Sequence, residues 1–329
     1  MATALQSTVS TTPVSPAPVI QVMDLRHSYG KLAALKGISF DVQAGEILGL
    51  LGPNGSGKTT LFRILSTLML PTGGHALISG FNAATHSDEV RRRIGVVFQA
   101  QSVDIKLTAA ENLWHQGHLY GMHGAGLKAR IQEMLARVGL ADRARNRVET
   151  FSGGMRRRVE LAKGLMHRPS VLLLDEPTTG LDPGARRDLW LYLEQVRTQE
   201  RVSIIVTTHL MEEAEHCDRL AILNLGEIAG LGTPAGLRSE IGGDVIMIEA
   251  AHPASLALRV QERFKITATV LDGKIRMKSK DGLKFVTTLA ETFPGEIQAV
   301  SISKPTLDDV FISRTGHRCW TPQDQQEMD

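Results

Sequence analysis

The sequence predicts an α/β fold with parallel strands, carrying a helical lobe and followed by a small α+β module. Three observations predict it. The apolar run Ile47-Leu48-Gly49-Leu50-Leu51 enters Gly52-Pro53-Asn54-Gly55-Ser56-Gly57-Lys58-Thr59 and then Thr60-Leu61-Phe62-Arg63-Ile64-Leu65, which has helical spacing. Val171-Leu172-Leu173-Leu174 is uninterrupted and apolar, as a strand buried on both faces of a parallel sheet is, and it ends in Asp175-Glu176. From about Gly243 the pattern reads β-α-β-β-α-β, the order of a split-βαβ module.

The first of these is a phosphate-binding loop in its required context of strand, glycine-rich turn and helix. Glycines let consecutive backbone N–H groups point inward, and the new helix adds its positive N-terminal end. Lys58 then reaches the β- and γ-phosphates, and the Thr59 hydroxyl can ligate Mg²⁺. A glycine-rich turn alone would explain the glycines but not Lys-Thr at the helix start. The ligand implied is a nucleoside triphosphate, held by Gly52 to Thr60.

Composition sets limits. A chain of 329 residues that is 42% apolar can bury a full core and a second, smaller module. Lys and Arg number 37 against 35 Asp and Glu, so no affinity for nucleic acid follows from charge. The two cysteines, Cys217 and Cys319, form no framework and no metal-ligand spacing, which suits a reducing compartment. No apolar run approaches the roughly 18 residues that span a bilayer. Any action at a membrane is expected to go through a partner.

Taken in order, residues 1–18 are rich in Ser, Thr, Ala and Pro with no charged side chain, and read as a disordered tail rather than a signal peptide. Val19 to Leu25 alternates like a strand with one wet face. Tyr29 falls in the turn-like Ser28-Tyr29-Gly30-Lys31, before a short strand at Ile38 to Val42. It either stacks on an adenine ring or covers a sheet edge. After the phosphate-loop helix, Gly73-Gly74 turns into a short strand at Ala76 to Ile78. Arg91-Arg92-Arg93 reads as a solvated helix face. Ile94 to Phe98 is a strand ending at Gln99, a position where α/β sheets put ligand contacts, although a plain loop glutamine fits too.

Leu107 to Tyr120 and Leu127 to Leu140 read as two helices of a separate lobe, joined through Gly121-Met122-His123-Gly124. His115, His118 and His123 lack the partners a metal site needs. Ser152 caps a helix that begins with Gly153-Gly154. Two poor helix formers at a helix start make sense where the backbone must approach a phosphate closely. At the exit of the Val171 strand, Asp175 is placed to hold Mg²⁺ through water, and Glu176 to orient or deprotonate the attacking water. Pro183 opens a helix to about Gln199. The strand Val202 to Thr207 leads to His209, at the same sheet end as Asp175 and within reach of a γ-phosphate. Strands at Leu220 to Leu225 and Glu227 to Leu231 finish the first domain, taken as residues 19–242. Residues 243–316 form the module, with strands at Val245 to Ile248, Ile266 to Leu271, Lys274 to Lys278 and Ile297 to Ile302. It brings no catalytic cluster and is expected to tune assembly or stability. A chain cut after Glu240 is expected to keep ATP binding if soluble. Residues 317–329 read as a second tail.

With Gly52–Thr59, Gln99, Phe151-Ser152-Gly153-Gly154-Met155, Asp175-Glu176, Leu181-Asp182 and His209 in this order, the chain resembles an ABC transporter ATP-binding subunit from about Val19 to Arg238. The resemblance implies a P-loop NTPase fold of the ABC ATPase type. Leu107-Thr108-Ala109-Ala110-Glu111-Asn112-Leu113 and Pro305-Thr306-Leu307-Asp308-Asp309-Val310-Phe311 look like the daunorubicin-resistance branch, which pairs with ABC-2-type membrane permease subunits, mostly for export. By that resemblance Tyr29 stacks on adenine, Gln99 senses Mg²⁺ and the membrane subunit, and His209 contacts the γ-phosphate. Ser152, Gly153 and Gly154 would face ATP held by a second copy, with Asp182 at that interface. Met155 replaces the usual Gln of the signature but leaves the serine and both glycines intact. A complete hydrolytic set in one chain favours a homodimer, peripheral on the cytoplasmic side of the membrane. Relatives acting on ribosomes carry two cassettes in one chain, and DNA-repair relatives insert a long coiled coil; this chain has neither. A non-hydrolysing sensor is disfavoured by Glu176.

Overall fold

A computed structural model describes residues 17–316; the expected tails 1–18 and 317–329 lie almost wholly outside the described residues. The first elements are β1 (Ile20–Tyr29), β2 (Leu32–Val42), β3 (Ile47–Leu51), α1 (Lys58–Leu65), β4 (Gly73–Ile78), β5 (Phe81–Asn82), α2 (Ser87–Arg91) and β6 (Ile94–Val97). The helical lobe follows as α3 (Ala109–Leu119), α4 (Gly124–Arg137) and α5 (Gly153–Leu165). Then come β7 (Val171–Asp175), α6 (Pro183–Glu200), β8 (Ser203–Thr208), α7 (Met211–Ala214), β9 (Arg219–Asn224), β10 (Glu227–Gly232) and α8 (Pro234–Ile241). The last part is β11 (Asp244–Ala250), α9 (Pro253–Phe264), β12 (Ala268–Leu271), β13 (Lys274–Ser279), α10 (Gly282–Thr292), β14 (Ile297–Ser303) and α11 (Leu307–Thr315).

A six-stranded sheet in the order β10-β9-β3-β8-β7-β6 is the frame, parallel except for β10. Its strands are apolar without interruption because each face meets a different core. On β7, Val171 and Leu173 join β1, β2, β4 and α1 on one side, while Leu172 and Leu174 join α3 to α6 on the other. The antiparallel sheet β2-β1-β4-β5 closes the first side. Two strands run longer than expected. β1 reaches Tyr29 and β2 begins at Leu32, because the pair is joined by a tight turn at Gly30, whose φ is 59°. Tyr29 is therefore the last residue of a strand, not part of a turn. α4 starts at Gly124, earlier than its apolar period could indicate.

The final module is an antiparallel sheet in the order β12-β13-β11-β14, with its own core around Ile246, Ile248, Val260, Ile275 and Leu289. α11 does not join that core. Leu307, Val310 and Phe311 are buried in the first core together with Leu237 of α8. On its other flank α11 meets the module, where Arg276 of β13 donates to Asp309 at 2.8 and 3.1 Å in a buried ion pair. One helix thus belongs by sequence to the module and by packing to both halves.

Candidate nucleotide site

The strand order assembles the site. β3, β8, β7 and β6 are consecutive neighbours, and each sends its carboxyl end to one edge of the sheet, where ligands of open α/β sheets bind. From those ends come the Gly52 loop, His209, Asp175 with Glu176, and Gln99. A cleft of about 780 Å³ runs along this edge, lined by Pro53 to Gly55, Gly57 to Thr60, Gln99, Glu176 and His209. Tyr29, Leu32 to Ala34, Lys36 and Leu225 form its outer wall.

The loop is shaped for a phosphate. A Cβ on Gly52 would stand 2.4 Å from the Leu223 carbonyl and 2.7 Å from Ser56 Oγ, so only glycine lets the chain turn there. Gly57 caps α1 at φ 108°, a left-handed conformation, and a Cβ there would meet the Ala34 carbonyl at 2.8 Å. Lys58 is buried with its ammonium over the loop, donating to the carbonyls of Gly52 at 2.6 Å and Pro53 at 3.0 Å. Ser56 Oγ is buried with no hydrogen-bond partner among the described residues. A cradle that a Cβ would fill, a captive ammonium and an orphaned hydroxyl together fit a polyphosphate.

Glu176 is the hub of the opposite wall. Its carboxylate accepts from Gln99 Nε2 at 3.4 Å and Thr179 Oγ1 at 3.4 Å, and lies 3.2 Å from His209 Nδ1. Burial pushes this carboxyl up, but the His209 hydrogen bond and the charges of His209 and Lys58 outweigh it and hold it below the usual range. It stays ionised. Asp175 goes the other way: burial outweighs the hydrogen bond from Thr207 Oγ1 at 2.6 Å and raises its pKa. A divalent cation beside it would supply the counter-charge that burial denies. Thr59, Gln99 and Asp175 are oxygen donors at one strand edge, the set Mg²⁺ takes alongside phosphate oxygens and water. Among the described residues no three His, Cys, Asp or Glu side chains gather as an all-protein cage, which Mg²⁺ does not need.

Tyr29 lines the cleft half-exposed, its ring edge-on to His27 at 4.7 Å and its hydroxyl 3.4 Å from Thr60 Oγ1. Ser152, Gly153 and Gly154 are not on this cleft. Ser152 Oγ caps α5 by accepting from Met155 N at 3.3 Å, and Gly154 packs so close to Ala185 of α6 that a Cβ would stand 2.9 Å away. Asp182 caps α6 beside them.

Three contributions escape the sequence. Leu32 to Ala34 and Lys36 wall the cleft from β2, which carries no motif. Glu213 is fully buried and accepts from the hydroxyls of Thr178 and Thr208, tying the turn after Glu176 to the residue before His209; two glutamates in a polar stretch give no sign of it. Arg157 reaches the backbone around Glu176.

A family model described as ABC transporter matches residues 35–179. Over 307 residues the chain is 36% identical to the linearmycin resistance ATP-binding protein LnrL of Bacillus subtilis strain 168, covering 91% of this chain and 98% of that protein. It is 38% identical over 305 residues to the daunorubicin resistance ATP-binding protein DrrA2 of Streptomyces coeruleorubidus, covering 88% and 92%. The ATP-binding cassette MJ0796, solved as a dimer in a post-hydrolysis state with ADP and Pi, matches with a TM-score of 0.59 at 28% identity, covering 65% of this chain and 98% of that one.

Proposed function

This chain belongs to the ABC transporter family as an ATP-binding, ATP-hydrolysing subunit, and from that premise we propose that it powers export through separate ABC-2-type membrane subunits. Two copies close on two ATP molecules and reopen after hydrolysis. The observation that carries this is a division of parts. Each chain holds a full phosphate cradle and a water-activating carboxylate on one cleft, while its Ser152-Gly153-Gly154 helix end lies off that cleft, packed beside the start of α6.

Gly52 to Thr60 hold the phosphates, and Tyr29 offers its exposed ring to the base. Thr59, Gln99 and Asp175 would hold Mg²⁺, which neutralises charge on the phosphate oxygens. Glu176, ionised and fixed by three neighbours, takes the proton of the attacking water as its oxygen bonds to the γ-phosphorus and the bond to ADP breaks. His209 holds that carboxylate and reaches toward the γ-phosphate. The relatives named for resistance to linearmycin and daunorubicin support export. No helix among the described residues is long and apolar enough to cross a membrane. The likeness to exporter ATP-binding proteins supports a place on the cytoplasmic face, held there by the permease.

The charge balance argues for the second copy. ATP carries about four negative charges, and one helix N-terminus contributes only about half a positive charge. A second N-terminus, the partner's Ser152 helix, covers the γ-phosphate from the other side. Lys58→Ala and Ser152→Arg should each be inactive alone. Mixed, they form a heterodimer with one intact site, between the loop of the Ser152→Arg chain and the signature of the Lys58→Ala chain. Single-turnover hydrolysis should return in that mixture. Verified heterodimers that do not cleave, beside a cleaving heterodimer of wild type with Lys58→Ala, would rule the arrangement out.

A further inference from the structure

Arg156, Arg157 and Arg158 follow one another on α5, and only the middle one is buried. Burying a guanidinium is costly unless its N–H groups are satisfied. Here they are spent on backbone from two separate loops. Nε donates to the Pro177 carbonyl at 2.7 Å and Nη1 to the Phe98 carbonyl at 2.6 Å. Nη2 donates to the carbonyls of Asp175 and Glu176, each at 3.3 Å. Nη1 also bonds Glu160 Oε2 at 2.7 Å, and the other Glu160 oxygen accepts from Ser102 N.

The carbonyls it holds are those on which the chemistry turns. Residues 175–177 flank the water-activating carboxylate, and Phe98 immediately precedes Gln99. Glu176 has φ 42°, a left-handed conformation that a side-chain-bearing residue keeps only where its surroundings hold it. Its N–H is held by Thr207 Oγ1 at 2.9 Å and its carbonyl by Arg157 and by Thr179 N at 3.3 Å. The neighbouring arginines do other work: Arg156 bonds the carbonyls of Phe151 and Glu149, and Arg158 pairs with Asp188 at the surface.

We propose that Arg157 is a positioning residue for hydrolysis, its guanidinium locking the turn of Glu176 and the backbone entering Gln99 to the helix that Ser152 begins. The proposal rests on Glu176 accepting the proton from water. A planar fork can serve several carbonyls at once, whereas a lysine supplies a single point of charge. Arg157→Lys therefore keeps the charge and loses the geometry.

The test uses the full-length chain with ATP. Arg157→Lys should lower single-turnover hydrolysis by roughly 10- to 100-fold, the cost of displacing a reacting group by about an ångström. ATP affinity should hold, because the phosphate cradle is built on β3 and α1. Amide exchange should quicken at Gln99 and Thr178 to Gly180, and not in Gly52 to Thr59. Arg158→Lys should behave as wild type. Equal turnover in the two lysine variants, or exchange that quickens everywhere alike, overturns the proposal. If Arg157→Lys fails to fold, Glu160→Gln carries the test, since it unanchors an unchanged guanidinium: lowered turnover with ATP affinity held supports the role, and wild-type turnover overturns it. Glu176→Gln is run alongside; if it turns over freely, the reading of Glu176 fails, whatever Arg157 does.

Discussion

Phe311→Ala tests whether the last helix is part of the nucleotide-binding core. Phe311 is fully buried in α11, and Leu307 and Val310 of the same helix and Leu237 of α8 are each 1% exposed in that cluster. Truncating a buried phenylalanine costs about 3–5 kcal/mol through lost transfer energy and the cavity left behind. Urea unfolding is followed by the fluorescence of Trp190 and Trp114, which lie on α6 and α3. With a slope of about 3 kcal/mol per molar urea, the midpoint should fall by roughly 1–1.7 M. Phe293→Ala, in the separate core of the module, is the control, because its loss strikes β11 to β14 first. A tryptophan transition that Phe311→Ala leaves in place would refute the reasoning. The same arithmetic revises the expectation for a chain cut after Glu240. That cut removes Leu307, Val310 and Phe311 at about 1.5–3 kcal/mol each. The total is comparable to the roughly 5–15 kcal/mol that holds a whole domain together, so the truncated chain should not fold.

Lys58→Ala should weaken ATP binding at least about tenfold, the worth of a charge-assisted hydrogen bond to phosphate, as read by equilibrium titration. Glu176→Gln should bind ATP as tightly as wild type and lose roughly 10²- to 10⁴-fold in turnover, since only the proton acceptor is removed. Burial, reinforced by the carboxylates of Glu213 and Asp218, pushes the Cys217 thiol far above its ordinary range. Cys217 should therefore resist iodoacetamide at about pH 8, where an ordinary thiol reacts, until urea unfolds the chain; peptide mapping that finds it alkylated in the native protein would contradict the packing between α7 and β3.

Much of the site was legible because its parts are local. A glycine that must make room, a lysine at the first position of a helix and carboxylates at the exit of an apolar strand each declare themselves within a few residues. The run Val171 to Leu174 declared two-sided burial, because no polar residue interrupts it. The β-α-β-β-α-β order of the module was legible for the same reason, its Asp272-Gly273 hairpin turn between β12 and β13 and its periodicities being properties of short stretches.

Side-chain choice alone therefore determined that a glycine-built loop opens α1 and that two carboxylates end β7, the features our reading assigns to a polyphosphate and its hydrolysis. Only the tertiary structure decided which strands are neighbours, and so that Gln99, Glu176 and His209 meet across intervals of 77 and 33 residues. Arg156, Arg157 and Arg158 stand side by side in the sequence, and nothing nearby in it says that four carbonyls converge on the middle one. The apolar residues of α11 announce that they will be buried but not against what, because the hydrophobic effect has no direction. Their place in the first core depends on how two folded halves fit together.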